Sequence, residues 1–110
     1  IIDAVASETG TQAEWEFSVP GDAFQIDVDE PIVRCLQVAS LQVSGAELPY
    51  GGKPFVDDGN KYRGLAGIPA LTHGPEATGA HTTQERVPVS ELVRVARVYA
   101  VTAARFGPGD

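Results

Sequence analysis

The chain has 110 residues, a formal net charge of −7 and a single cysteine, Cys35. One small domain fits in that length, burying roughly 65% of its unfolded surface, and one thiol closes no internal disulfide, which suits a reducing, cytoplasmic setting. The acidic balance leaves no basic patch for nucleic acid, Arg34, Arg63, Arg94, Arg97 and Arg105 being too dispersed, and no apolar run is long enough to cross a bilayer, so neither partner is expected.

Ile1 to Thr9 reads as a short helix ended by Gly10. An opening on Ile1, Ile2, Asp3, Ala4 and Val5, with no methionine anywhere, is expected of an internal stretch of a longer protein. Ala13, Trp15, Phe17 and Val19 then alternate with Glu14, Glu16 and Ser18, the pattern of a half-buried strand. Pro20, Gly21 and Asp22 break it, and an extended stretch, Phe24 to Asp27, follows. Asp29, Glu30 and Pro31 announce a helix that Ser44 and Gly45 stop. Its apolar face is Ile32, Leu36, Ala39 and Val43, with Cys35 at the edge as a core thiol rather than a nucleophile, since no adjacent base is visible.

Glu47 to Pro54 is a loop leading to Asp57 and Asp58. Paired acids invite a metal or acid–base reading, and the alternative is an Asp-Asp-Gly turn in which Asp58 caps a helix from Asn60 to Ala66. Ile68, Pro69, Ala70, Leu71 and Thr72 form a short apolar run between Gly67 and the Gly74–Pro75 pair, as expected of a buried parallel strand. The loop after it places His81 among Gly74, Pro75, Gly79 and Ala80, small or turn-forming residues that let a backbone approach a ligand. By itself His81 fits a solvated or hydrogen-bonded loop imidazole better than a ligand. The last helix starts at Ser90, with Leu92, Val95, Ala96, Tyr99, Ala103 and Phe106 as its apolar stripe and Arg94, Arg97 and Arg105 turned outward. Pro88, with Val87 and Val89, pins the chain just after the His81 loop, and Gly107 to Asp110 is a tail.

The order Gly67-Ile68-Pro69, Gly74-Pro75, Ala80-His81-Thr82, then Glu85, Val87 and a helix from Ser90 resembles the closing segment of the dizinc amidohydrolases. That family includes acetylornithine deacetylase, succinyl-diaminopimelate desuccinylase, aminoacylase and carboxypeptidase G. The match is clear over the last half of the chain and weaker over the first. It implies an α/β fold: residues 1–28 as the last helix and strand of an α+β lid used for dimerisation, and 29–110 as the carboxy-terminal part of a three-layer α/β/α zinc-peptidase-like catalytic domain.

The resemblance also implies a site. His81 becomes the final ligand of a pair of zinc ions, for which cobalt or manganese could substitute, and Glu85 an acceptor that orients its loop. Asp58 and Gly59 match the end of a cleft-lining Gly-Gly, Ser/Thr, Asp, Ala/Gly element, with Gly51 and Gly52 upstream. Asp57 stands where the family has a hydroxyl, and the spacing from the glycines is longer. His73 and Gly74 fall beside the pocket. The implied parent is a homodimer that hydrolyses the amide of an N-acyl amino acid or small peptide. The other ligands, the bridging carboxylate and the proton-shuttling Glu belong to an amino-terminal half, so the segment alone is expected to be inactive. A noncatalytic interaction or dimerisation module, or a relative that has lost its metal, is the alternative.

Overall fold

The structure is a computed structural model that describes residues 1–16 and 22–107. Among them run four helices: α1 (Ile2–Thr9), α2 (Pro31–Ser44), α3 (Asp58–Ala66) and α4 (Val89–Arg105). α2 begins with Pro31 in its first turn, where a missing N–H costs nothing, and ends on Gly45 at φ 71°, a left-handed conformation open to glycine. Between those signals Val33, Leu36, Ala39 and Ser40 recur at helical spacing and are buried.

α2 packs on α4, the helix pair that holds the core. Leu36, Ala39 and Val98 are its centre, with Val43, Leu48, Leu71 and Val101 packed around them. Ala39 is fully buried, and its small side chain lets the two helices approach. The buried hydroxyls are satisfied: Ser40 Oγ donates to Ala46 O at 3.0 Å and Thr102 Oγ1 to Val98 O at 2.8 Å. The Gln37 amide donates to Leu48 O and accepts from Leu48 N, both at 2.8 Å, which ties the following loop to α2 as a strand would. Arg105 Nη2 donates to Gln42 Oε1 at 2.9 Å and joins the carboxy-terminal ends of the pair.

The expected α/β architecture is not the one found. Among the described residues there is no strand, only four helices and one isolated antiparallel bridge, Thr78 with Arg86. Ala13 to Glu16 and the whole of Ile68 to Thr72 are irregular, while 17–19 of the first expected strand lie outside the described residues. The reason is hydrogen bonding: a strand is satisfied by a neighbouring strand, and these two short segments have none to pair with. Ile68 N instead donates to Tyr62 O at 3.1 Å, continuing the end of α3.

Details of α2 and α4 also shift. In α4 the buried side chains are Val95, Val98 and Thr102, whereas Leu92, Tyr99 and Phe106 of the expected stripe are exposed. Ser90 lies inside α4, whose N-cap is Pro88. Arg94, expected outward, is half-buried and forked onto Glu91, its Nη2 lying 2.7 Å from Glu91 Oε2. In α2 Val33 replaces Ile32 on the buried face. The molecule is open: its radius of gyration is 19.2 Å, against about 13 Å for a compact chain of this length.

Candidate functional site

Two structures carry the residues of interest, a closed loop and a cleft. The loop spans Thr78 to Arg86, whose backbones exchange two hydrogen bonds of 3.0 Å, Thr78 N to Arg86 O and Arg86 N to Thr78 O. Inside it Thr82 organises the turn. Its N and Oγ1 donate to Gly79 O at 3.1 and 2.7 Å. Its Oγ1 accepts from Gln84 N at 3.1 Å, and its carbonyl accepts from Glu85 N at 3.2 Å. Gly79 is at φ 69°, and a Cβ there would sit 2.8 Å from Gln84 O, so glycine is what lets the loop close.

His81 occupies the exposed tip of this loop at φ 61°, the described non-glycine residue with a positive φ. Left-handed backbone is unusual for a residue with a Cβ and persists where the surroundings over-determine it. Here the paired bonds of Thr78 and Arg86 and the Thr82 turn do so. Glu85 is exposed on the same loop, four residues on. Among the described residues no group of three or more His, Cys, Asp and Glu is gathered to hold a metal ion. His81 and Glu85 thus belong to no such group among the described residues.

The cleft, of about 1120 Å³, is framed by the loops either side of α3. Apolar Phe24, Ile26, Val33, Leu36, Leu48 and Leu71 line it beside polar Gln37, Lys53, Asp57, Asn60 and Thr72, with Gly51 and Gly52 on one side and His73 and Gly74 at one end. Asp57 is its hub. The carboxylate caps α3 by accepting from Gly59 N at 2.8 Å, while Asn60 Oδ1 accepts from Asp57 N at 3.0 Å, a reciprocal capping box. Its other oxygen accepts from Thr72 Oγ1 at 2.7 Å and is ion-paired with Lys53. Lys53 and Thr72, each hydrogen-bonded to it, hold the carboxyl well below the usual range, at about 2.

The expected site residues thus divide. His73 and Gly74 line the cleft; Asp58 and Gly59 do not, and neither do His81 and Glu85. Asp58 is exposed in the first turn of α3, 3.5 Å from Lys61 Nζ. The cap expected of Asp58 is made by Asp57. Gly59 leaves room for the cap, since a Cβ there would lie 2.9 Å from Asp57 Oδ1 and 3.3 Å from Phe24 Cζ. Lys53, Thr72 and Asn60 escaped the sequence reading. The signal for one of them was present in Asp57-Asp58-Gly59-Asn60, whose first and fourth residues have capping-box spacing.

His73 is half-buried, its ring edge-on to Tyr99 at 5.5 Å between centroids and 72° between planes. Tyr99 Oη donates to His73 O. Both ring nitrogens are shut off from solvent with no hydrogen-bonding partner among the described residues. Burial, and then the nearby Arg94 charge, push its pKa below that of an ordinary histidine. No protein-family profile matches this chain, and no solved structure matches it.

Proposed function

We propose that this chain is the carboxy-terminal segment of a zinc-dependent amidohydrolase that cleaves an N-acyl amino acid or small peptide amide, with His81 as one metal ligand. What carries the reading is the His81 loop. A histidine is held at φ 61° on an exposed tip by a closed, glycine-dependent turn, between the Gly-Ile-Pro segment and the terminal helix. Strained backbone of this kind collects where a side chain must be aimed.

In this reading His81 supplies an imidazole nitrogen, and Thr82, through its bonds to Gly79 and Gln84, holds the backbone that carries the ring. Glu85 is placed to orient the loop or accept from it. Zinc, when bound, lowers the proton affinity of a coordinated water and polarises the amide carbonyl. A hydrolytic zinc needs about three protein ligands, so the remaining ligands and the general base come from an amino-terminal part of a cytoplasmic, homodimeric parent. The cleft beside Asp57 and His73 would receive the substrate's remainder.

The noncatalytic interaction module is the second reading. It is favoured by the apolar side chains left open around α3, Val56 being 72% and Leu65 71% exposed. Metal content decides between the two. His81→Ala in the intact parent should lower bound zinc and remove most turnover against N-acetyl amino acids while leaving far-UV circular dichroism unchanged. Undiminished zinc and turnover would refute the amidohydrolase assignment of His81.

A further inference from the structure

The segment Ala70 to Gly74 forms one wall of the cleft, and it has no regular secondary structure to hold it. Three contacts fasten it instead. Leu71 packs on the α2–α4 core, Thr72 donates to Asp57 at 2.7 Å, and at the far end His73 rests its ring edge-on against Tyr99 while its carbonyl accepts from the Tyr99 hydroxyl. The last contact differs chemically from the others. It seats an imidazole whose two nitrogens are both shut off from solvent with no hydrogen-bonding partner among the described residues.

A neutral imidazole tolerates such a seat at the cost of one unsatisfied donor and one unsatisfied acceptor; an imidazolium, with two N–H groups and a charge, does not. From this geometry we infer that His73 is a proton-operated latch: neutral, it closes the cleft wall onto α4, and protonated, it leaves Tyr99 and frees that wall. The device is independent of any zinc chemistry.

The charges around the ring reinforce the effect. From α4, Arg94 acts on His73 as a like charge, and Glu91, which would offset it, is already committed to Arg94 and to the backbone N–H of Glu76, at 3.2 Å. Tyr99, also from α4, offers its hydroxyl to the carbonyl rather than to the ring. On the cleft side Asp57 is taken by Lys53 and Thr72. Glu91 and Asp57 are thus committed elsewhere, and the Glu76 carboxylate, the remaining acid nearby, acts on Arg94, in agreement with a histidine whose pKa is pushed down first by burial and then by Arg94. The sign follows. A freed His73 binds its proton near the ordinary 6.5 and a latched one at lower pH, so the latched state is most favoured above about 6.5 and loses that advantage as pH falls below it.

Proton NMR on the full chain tests this, following both imidazoles from about pH 8 to pH 4.5 with His81→Gln to assign them. His73 should titrate below 6.5, and the Leu71 methyl and Tyr99 ring resonances should move with the same midpoint. The ratio of freed to latched wall should rise about tenfold per pH unit within that window. In His73→Phe the Leu71 resonances should stay in place over the same range. Tyr99→Phe should raise the freed fraction at pH 8 and keep the pH slope. A His73 titrating at or above 6.5 would overturn the latch even if His73→Phe fails to fold, as would Leu71 signals that ignore its protonation.

Discussion

Replacing His81 with glycine separates what the loop needs from what the proposed metal needs. His81 sits at φ 61°, where a Cβ costs an L-residue about 1–2 kcal/mol, histidine falling toward the lower end. Glycine removes that term and returns about 0.5–1 kcal/mol through the larger freedom of the unfolded chain. The balance for His81→Gly is a stabilisation of up to about 1 kcal/mol, a rise of a few degrees in melting temperature for a domain near this size. His81→Ala keeps the strained backbone and should leave stability within about 0.5 kcal/mol of the parent chain. Urea unfolding followed by circular dichroism measures both, and zinc content with turnover in the proposed intact parent measures the function that His81→Gly should lose. A clear destabilisation by glycine, beyond about 1 kcal/mol, would mean that the imidazole itself holds the loop, and the argument from backbone strain would fail.

Val98→Ala should destabilise by about 1.5–3 kcal/mol, two buried methyl groups plus a residual cavity, because Val98 is fully buried in the core. Leu92→Ala, on a side chain 50% exposed, should cost less; the reverse order in urea midpoints would place the wrong face of α4 against α2. Gly79→Ala should open the Thr78–Arg86 loop, since its methyl would lie 2.8 Å from Gln84 O in a backbone at φ 69°; loss of the Thr78–Arg86 cross-strand amide contacts by NMR checks it. Stability should also fall in acid. Asp57 and Glu91 titrate at about 2 when folded against ordinary values of 3.8 and 4.5, so their contribution is complete above about 4.5 and is lost as pH drops toward 2. Asp57→Asn should flatten part of that loss in an acid titration of thermal stability, and an unchanged profile would count against Asp57 as the hub.

The helices were legible where local signals and periodicity agreed. Pro31 and Gly45 bound α2, Gly10 ends α1, and Gly67 ends α3, each at or within a residue of its expected place. These signals act through backbone geometry within a few residues, and no distant partner is needed to read them. The strands failed for the opposite reason. Alternation in Ala13 to Glu16 and the apolar run of Ile68 to Thr72 state a preference that only a neighbouring strand can realise, and sequence pattern does not supply the neighbour. The phase of α4 slipped because Val93, Val95, Val98 and Val101 give it apolar residues on more than one face. Contact with Leu36 and Ala39 then selects the Val95–Val98–Thr102 stripe. The α3 cap falls one position earlier than expected: both acids are plausible caps, and Asn60, whose Oδ1 accepts from Asp57 N, selects the first.

The placement of the two functional elements constrains the chemistry further. His81 is presented on a loop closed by its own backbone, so its geometry does not depend on the cleft being formed. The cleft is instead assembled from segments that meet only through side chains: Gln37 on Leu48, Asp57 on Thr72 and Lys53, Tyr99 on His73. Local opening is easiest where few backbone hydrogen bonds hold a segment; by that measure the Ala70–Gly74 wall is the looser, held by Leu71 on the core and by side-chain contacts, whereas the exposed His81 loop is closed by its own backbone bonds. If His81 is a metal ligand as proposed, a ligand loop that stays fixed and a cleft wall that yields would suit an amide hydrolase, in which one substrate end must enter and leave while the reacting carbonyl is held. Under that division, substitutions in the wall should change substrate affinity more than the chemical step, and those in the Thr78–Arg86 loop should do the reverse. Steady-state kinetics of Thr72→Val against Thr82→Val in the intact enzyme would show it: a raised KM with kcat nearly kept for the first, and a reduced kcat for the second. Equal effects on both constants from both variants would dissolve the distinction between a rigid loop and a yielding wall.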